Sequence, residues 1–181
     1  NCDWSSDVCS SDLSSPDGAR LASGGDDGSV RIWDSLRGRQ LTVLEGHEAG
    51  VNSVSWSPDG NRLASGGDDG TVRLWDSGSG LELAVLAGPT DWSVWSVCWS
   101  PDGTRLASGC DDGTVRLWDS GSGRQLTVLK GHTGSVGCVS WSPDGARLAS
   151  GGEDAAVRLW DSGSGRELMV LEGHEDVVNS I

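Results

Sequence analysis

The sequence predicts an all-β chain built from repeated four-stranded antiparallel units, and three observations carry that prediction. Apolar residues alternate over runs of five to seven residues, the period of a strand and not of a helix. Between the runs lie "PDG", "GDDG" and "SGSG", turn sequences in which Gly supplies positive φ and Asp bonds to nearby backbone. The whole pattern recurs: Trp-Asp stands at Trp33-Asp34, Trp75-Asp76, Trp118-Asp119 and Trp160-Asp161, at spacings of 42, 43 and 42. A fixed period of this length marks stacked or radially arranged units, each too small to bury a core alone.

Within the second unit the strands follow in order. "VNSVSWS" (Val51 to Ser57) is the first, and the "SPDG" that begins at Ser57 turns the chain into "RLASG" (Arg62 to Gly66). "GDDG" leads to "TVRLWD" (Thr71 to Asp76), and "SGSG" to "LELAVL" (Leu81 to Leu86). In the third strand Val72 and Leu74 point to one face and Arg73 and Trp75 to the other, so neighbouring units must cover both. The same turn begins at Ser15, Ser100 and Ser142, and "GH" stands at Gly46-His47, Gly131-His132 and Gly173-His174. The third unit departs, with "GPTDW" at Gly88 to Trp92 and one extra residue.

These residues resemble the WD-repeat β-propeller family from Ser14 to the end of the chain. The resemblance implies four-stranded blades around a central channel, with the strand after "GH" innermost and the strand after "SGSG" outermost. It divides the chain into blade one at 14–44 without its inner strand, blade two at 45–86, blade three at 87–129 and blade four at 130–171. An orphan inner strand is expected at 172–181. Family propellers usually close with about seven blades, so an open arc of four is expected; closure of a small ring through Val177 to Ile181 is the alternative.

The resemblance also implies a buried hydrogen-bonded set in each blade. Blade two would use His47, Ser65, Asp69 and Trp75, and blade four His132, Ser150, Asp154 and Trp160. Blade one keeps Ser23, Asp27 and Trp33. Blade three keeps Ser108, Asp112 and Trp118 but has Pro89 or Thr90 where His belongs, which should make it the loosest blade. Ser, His and Asp also form nucleophilic triads, yet a set that recurs blade after blade, with no G-x-S-x-G elbow, reads as structure. "GGDDG" offers two carboxylates where calcium needs six to eight oxygens. No metal, cofactor or catalytic residue is expected.

Each internal Asp is preceded by another acid: Asp26, Asp68, Asp111 and Glu153. By the resemblance these turns share the partner-receiving face with Glu48, Glu175, Asp176 and Trp92. Asp-Asp-Gly is in itself a good tight turn; an acidic rim with one aromatic anchor would suit a basic peptide. Arg31, Arg73, Arg116 and Arg158 recur near the blade Trp and read as a solvated or ion-paired ladder, a phosphate-binding role being the alternative.

Composition sets outer limits. The 181 residues carry 28 Gly, 10 Trp, no Phe, no Tyr and a formal net charge of -14, which disfavours binding to nucleic acid or anionic membranes. No apolar run approaches the length of a membrane span. Residues 1–13 break the repeat: where an inner strand should read like "VNSVSWS", the chain reads "CSSDLSS". Asp3 to Leu13 match, codon for codon, the translation of a common short-read sequencing adaptor, so 1–13 are expected to be foreign to the fold. The remaining cysteines, Cys98, Cys110 and Cys138, each replace a Ser or Gly of other repeats and read as small packing residues of a reducing, cytoplasmic compartment, the nucleus being the other. The expected function is a non-catalytic scaffold for peptide or protein partners, without small-molecule substrate. The alternative is a regulatory or sensor array of a larger kinase or ATPase.

Overall fold

The computed structural model describes residues 13–88 and 92–181; of the segment 1–13 expected to be foreign only Leu13 is described, and Pro89 and Thr90 at the variant loop of blade three lie outside the described residues. Fifteen strands and no helix are present among the described residues, and so none long and apolar enough to cross a membrane.

Blade one contains β1 (Arg20–Gly24), β2 (Ser29–Asp34) and β3 (Gln40–Glu45). Its described residues form a three-stranded sheet, with Ser14 bridged to Leu21 on the inner side. Blade two holds β4 (Val51–Trp56), β5 (Arg62–Gly67), β6 (Thr71–Asp76) and β7 (Glu82–Ala87). Blade three follows with β8 (Val94–Trp99), β9 (Arg105–Cys110), β10 (Thr114–Asp119) and β11 (Gln125–Lys130), and blade four with β12 (Val136–Trp141), β13 (Arg147–Gly152), β14 (Val157–Asp161) and β15 (Glu167–Leu171). Each sheet is an antiparallel meander in chain order, and the four sheets do not close on one another.

The outer strand begins one residue later than the alternation predicts. Leu81 is used to close the "SGSG" turn, its carbonyl accepting from Asp76 N–H at 2.9 Å, and the register slips between Leu74 and Trp75. The Asp of Trp-Asp has a local task here: Asp76 Oδ1 accepts from the backbone and hydroxyl of Ser79 at 2.7 and 2.6 Å. The "GDDG" turn requires positive φ at its last position, met by Gly28, Gly70 and Gly113, whereas blade four places Ala155 there at φ 59. A left-handed Ala costs roughly 1 to 2 kcal/mol.

The apolar cores lie between blades and not within them. Val72, Leu74 and Leu86 of blade two pack on Val94, Val97, Leu106 and Trp118 of blade three, and equivalent clusters fill the joints between blades one and two and between three and four. Innermost strands lie side by side, so Val97 N–H donates to Ser53 Oγ at 3.1 Å and Val139 N–H to Ser96 Oγ at 3.2 Å.

Residues 172–181 follow blade four. They form no strand ladder, because no neighbouring strand among the described residues offers them a partner. Val178 is nevertheless buried and its N–H donates to Gly152 O at 3.1 Å, as Val51 N–H does to Gly25 O.

Candidate functional site

The buried sets come first, because they fix the turns that carry the acids. In blade two His47 Nδ1 lies 2.9 Å from Asp69 Oδ2 and its Nε2 lies 2.7 Å from Ser65 Oγ. Trp75 Nε1 donates to the same hydroxyl at 2.8 Å. Asp69 also accepts from Glu48 N–H, Thr71 N–H and the Thr71 hydroxyl. Burial alone would raise the Asp69 carboxyl, but the hydrogen bonds from Thr71, Glu48 and His47 outweigh it and hold the group below the usual carboxylate range. Burial pushes the His47 imidazole down, against the pull of Asp69. Blade four repeats the set, with His132 2.8 Å from both Asp154 Oδ1 and Ser150 Oγ, and Trp160 donating to Ser150 at 2.8 Å.

This is the order of contacts in a nucleophilic triad, Ser to His to Asp. Ser65 and Ser150 are completely buried, however, and each already receives an indole N–H. A hydroxyl with no route to substrate is a clamp, joining the strand that carries Ser to the loop that carries His and the strand that carries Trp.

Blades one and three use other partners. Trp33 and Trp118 still donate to Ser23 and Ser108, at 3.0 Å each. Asp27 and Asp112 turn instead to the arginine four residues on: Arg31 Nη2 donates to Asp27 at 2.9 Å and Arg116 Nη2 to Asp112 at 2.6 Å. The hydroxyl of Ser29, Arg31 and the Ser29 N–H bring the Asp27 carboxyl to about 2. In blades two and four the corresponding arginines stand 3.6 Å from Asp69 and Asp154 and pair with Glu82 and Glu167 at 2.6 Å. Where His is absent, the outer strand carries Gln40 or Gln125 in place of that Glu.

Blade three also fills the space of the ring. A Cβ on Gly67 or Gly152 would lie 2.9 Å from the His Nδ1, so a blade with His needs Gly there. Blade three has Cys110, whose sulfur sits 3.9 Å from Ser108 Oγ and whose thiol burial pushes up, away from the reactive range. Thus neither Ser108 nor Asp112 is left without a partner.

A cavity of about 340 Å³ opens as a mouth among the inner strands, lined from all four blades and the 172–181 segment, and two of the predicted rim acids line it. Asp26 and Glu153 line it together with Asn52, Ser135 and Trp95. Asp68 and Asp111 are tied from within: Asn52 donates to Asp68 at 2.8 Å, and Trp95 Nε1 and Ser135 Oγ donate to Asp111 at 3.1 and 2.8 Å. Glu153 accepts from Ser135 at 3.1 Å, while the Asp26 carboxylate has no hydrogen bond among the described residues. Glu48 and Glu175 are exposed.

Trp92 is half-exposed but is not among the residues lining the mouth; the aromatic wall is Trp95, 40% exposed. Comparing equivalent positions across repeats could have found it, since Trp95 stands where the other inner strands have Asn52, Gly137 and Asn179. Among the described residues no group of three or more His, Cys, Asp or Glu is arranged to hold a metal ion.

A family profile described as "WD domain, G-beta repeat" matches residues 2–34, 38–76, 80–119 and 123–161; its first match begins inside the stretch expected to be foreign. Among curated proteins the chain is similar to "Ribosome biogenesis protein erb1" of Aspergillus niger, 57% identical over 42 residues, 23% of this chain and 5% of that protein. The proteins of that name from Chaetomium thermophilum and Botryotinia fuckeliana are 56% identical over 43 residues and 52% over 42, again 23% of this chain and 5% and 6% of theirs. Each alignment is about one repeat long, and the chain spans about a twentieth of these relatives.

Proposed function

The chain belongs to the WD-repeat family, and from that membership we propose a non-catalytic protein-interaction scaffold whose acidic channel mouth holds a basic segment of a partner. One observation carries the reading: Asp26, Glu153 and the half-exposed face of Trp95 meet at a single cavity. A carboxylate without internal partners gains most from an incoming cation, and an indole face adds roughly 0.5 to 2 kcal/mol for a guanidinium or ammonium group. The buried sets keep the acidic turns in place, so little ordering is needed on binding. The similarity to ribosome biogenesis proteins transfers a repeat and not a role, and it lends the expected cytoplasmic residence no support.

The test is fluorescence anisotropy of a labelled Arg/Lys-rich peptide with the 181-residue chain at low and high salt. Trp95→Ala and the pair Asp26→Asn, Glu153→Gln should each weaken binding by about ten-fold or more without moving the melting temperature. Equal binding by all three proteins, or none by the wild type, rejects the reading.

A further inference from the structure

We propose that the outer edge of blade two is a self-association surface: β7 of one copy pairs antiparallel with β7 of a second, joining two blades into one continuous sheet about a two-fold axis.

The four outer strands share a pattern, and blade two departs from it. Blades one, three and four open this strand with Arg39, Arg124 and Arg166 and close it with Glu45, Lys130 and Glu172, all of them exposed. Charges along an edge hold it in water and discourage the addition of a further strand. Blade two has neither, since Leu81 and Ala87 stand at the two positions and are exposed as well.

Between those ends Leu83 and Val85 are also exposed, alternating with half-buried Ala84 and buried Leu86. An unbroken apolar stripe results, with Leu81 66%, Leu83 53% and Val85 43% exposed. The one charge in the segment is Glu82, and it is ion-paired within the blade, to Arg73 Nη1 at 2.6 Å.

The backbone of the edge is open too. β7 stands last in the order β4-β5-β6-β7, with β6 its single strand partner among the described residues, so the N–H and C=O groups on its far side have no ladder. The other margin of the sheet is β4, and it is this margin that meets the neighbouring blades: Val51 N–H donates to Gly25 O, and Ser53 Oγ accepts from Val97 N–H. The outer edge of β7 is therefore open however many blades stand before or after.

A second copy is the occupant that the strand fits. In the two-fold register centred on Ala84, Leu83 faces Val85, Leu81 faces Ala87 and Glu82 faces Leu86, so every residue from 81 to 87 has a partner and no like charges stand opposite. The equivalent register in blade three, centred on Thr127, would set Arg124 against Lys130, a repulsion repeated at both ends of the pair. The contact in blade two is isologous and closes at two copies.

Sedimentation velocity of the 181-residue chain over a wide concentration range tests this. A monomer–dimer equilibrium is expected, weakened about ten-fold or more by Leu81→Arg combined with Ala87→Lys, because the introduced charges then face each other at both ends. Blade three carries the same two residues at these positions, so the variant should fold. Circular dichroism checks that it does; Leu83→Lys, at an exposed position, replaces it if it does not. Hydrogen exchange of wild type should slow at amides within 82–86 as concentration rises, which a contact elsewhere on the molecule would not produce. A wild-type chain that stays monomeric overturns the proposal. So does a dimer that survives the edge variant, or one that forms with exchange in 82–86 unchanged.

Discussion

Blades two and three are nearly the same sequence and solve the same problem differently. Blade two clamps its turn with His47, between Asp69 and Ser65. Blade three places a cysteine sulfur near Ser108 and an arginine on Asp112. The difference reaches the outer strand, where Glu82 engages Arg73 in one blade and Gln125 faces Arg116 in the other. With His present, Asp is satisfied by the ring and Arg needs another acid; without it, Asp takes Arg and a second acid would stand unpaired. Three positions thus change together, because buried polar groups must all find partners.

The largest break in this comparison is His47→Ala, which takes the ring from between Ser65 and Asp69 and leaves its space beside Gly67 empty. A loss of about 3 kcal/mol is expected from urea unfolding, and an unchanged midpoint would mean that the clamp carries no stability. Next is Gly67→Cys, whose Cβ would meet the His47 ring at 2.9 Å and Gly50 O at 2.8 Å, for a cost of about 1 to 3 kcal/mol. In the His47→Ala background the same Cys should restore stability, since the pair then copies blade three. A double-mutant cycle with additive losses would contradict that coupling.

A smaller effect follows from pH. The folded-state imidazole of His47 is held below its ordinary 6.5, so on acidification the unfolded chain takes up a proton before the folded one does. Stability from this residue is present above the unfolded value and falls as pH drops below it. Wild type should lose stability relative to His47→Gln between about pH 7 and 5; parallel curves would show that the ring does not titrate differently on folding. The smallest effect is Glu82→Gln, which removes one partly exposed partner of Arg73. Alone it should cost about 0.5 kcal/mol or less, and in His47→Ala it should cost nothing, because Arg73 is then free to close on Asp69. A full additive loss in that background would sharpen the picture toward an independent surface pair.

The repeat, its strands and its Ser, His, Asp and Trp positions were legible because each is a local pattern: alternation, turn chemistry and fixed offsets. The acids of the mouth were legible for the same reason. Trp95 was not, since the extra residue in "GPTDW" drew attention to Trp92 and only the curvature of the blades decides which indole faces the channel. Cys110 was readable as a small packing residue, yet its occupation of the ring's space depends on His being absent from a loop twenty residues earlier in the chain.

The sequence by itself determined the blade, because strand period, Gly turns and hydrogen-bonding side chains act within some forty residues. Tertiary structure alone decided what the blades do to one another. It set which carboxylates are tied and which stay open at the mouth, and it engaged Arg20, Arg62 and Arg105 with the blade that follows each. The physical reason is that apolar cover and cross-blade hydrogen bonds are supplied by a neighbouring sheet, and identical residues differ in energy according to whether that neighbour is there.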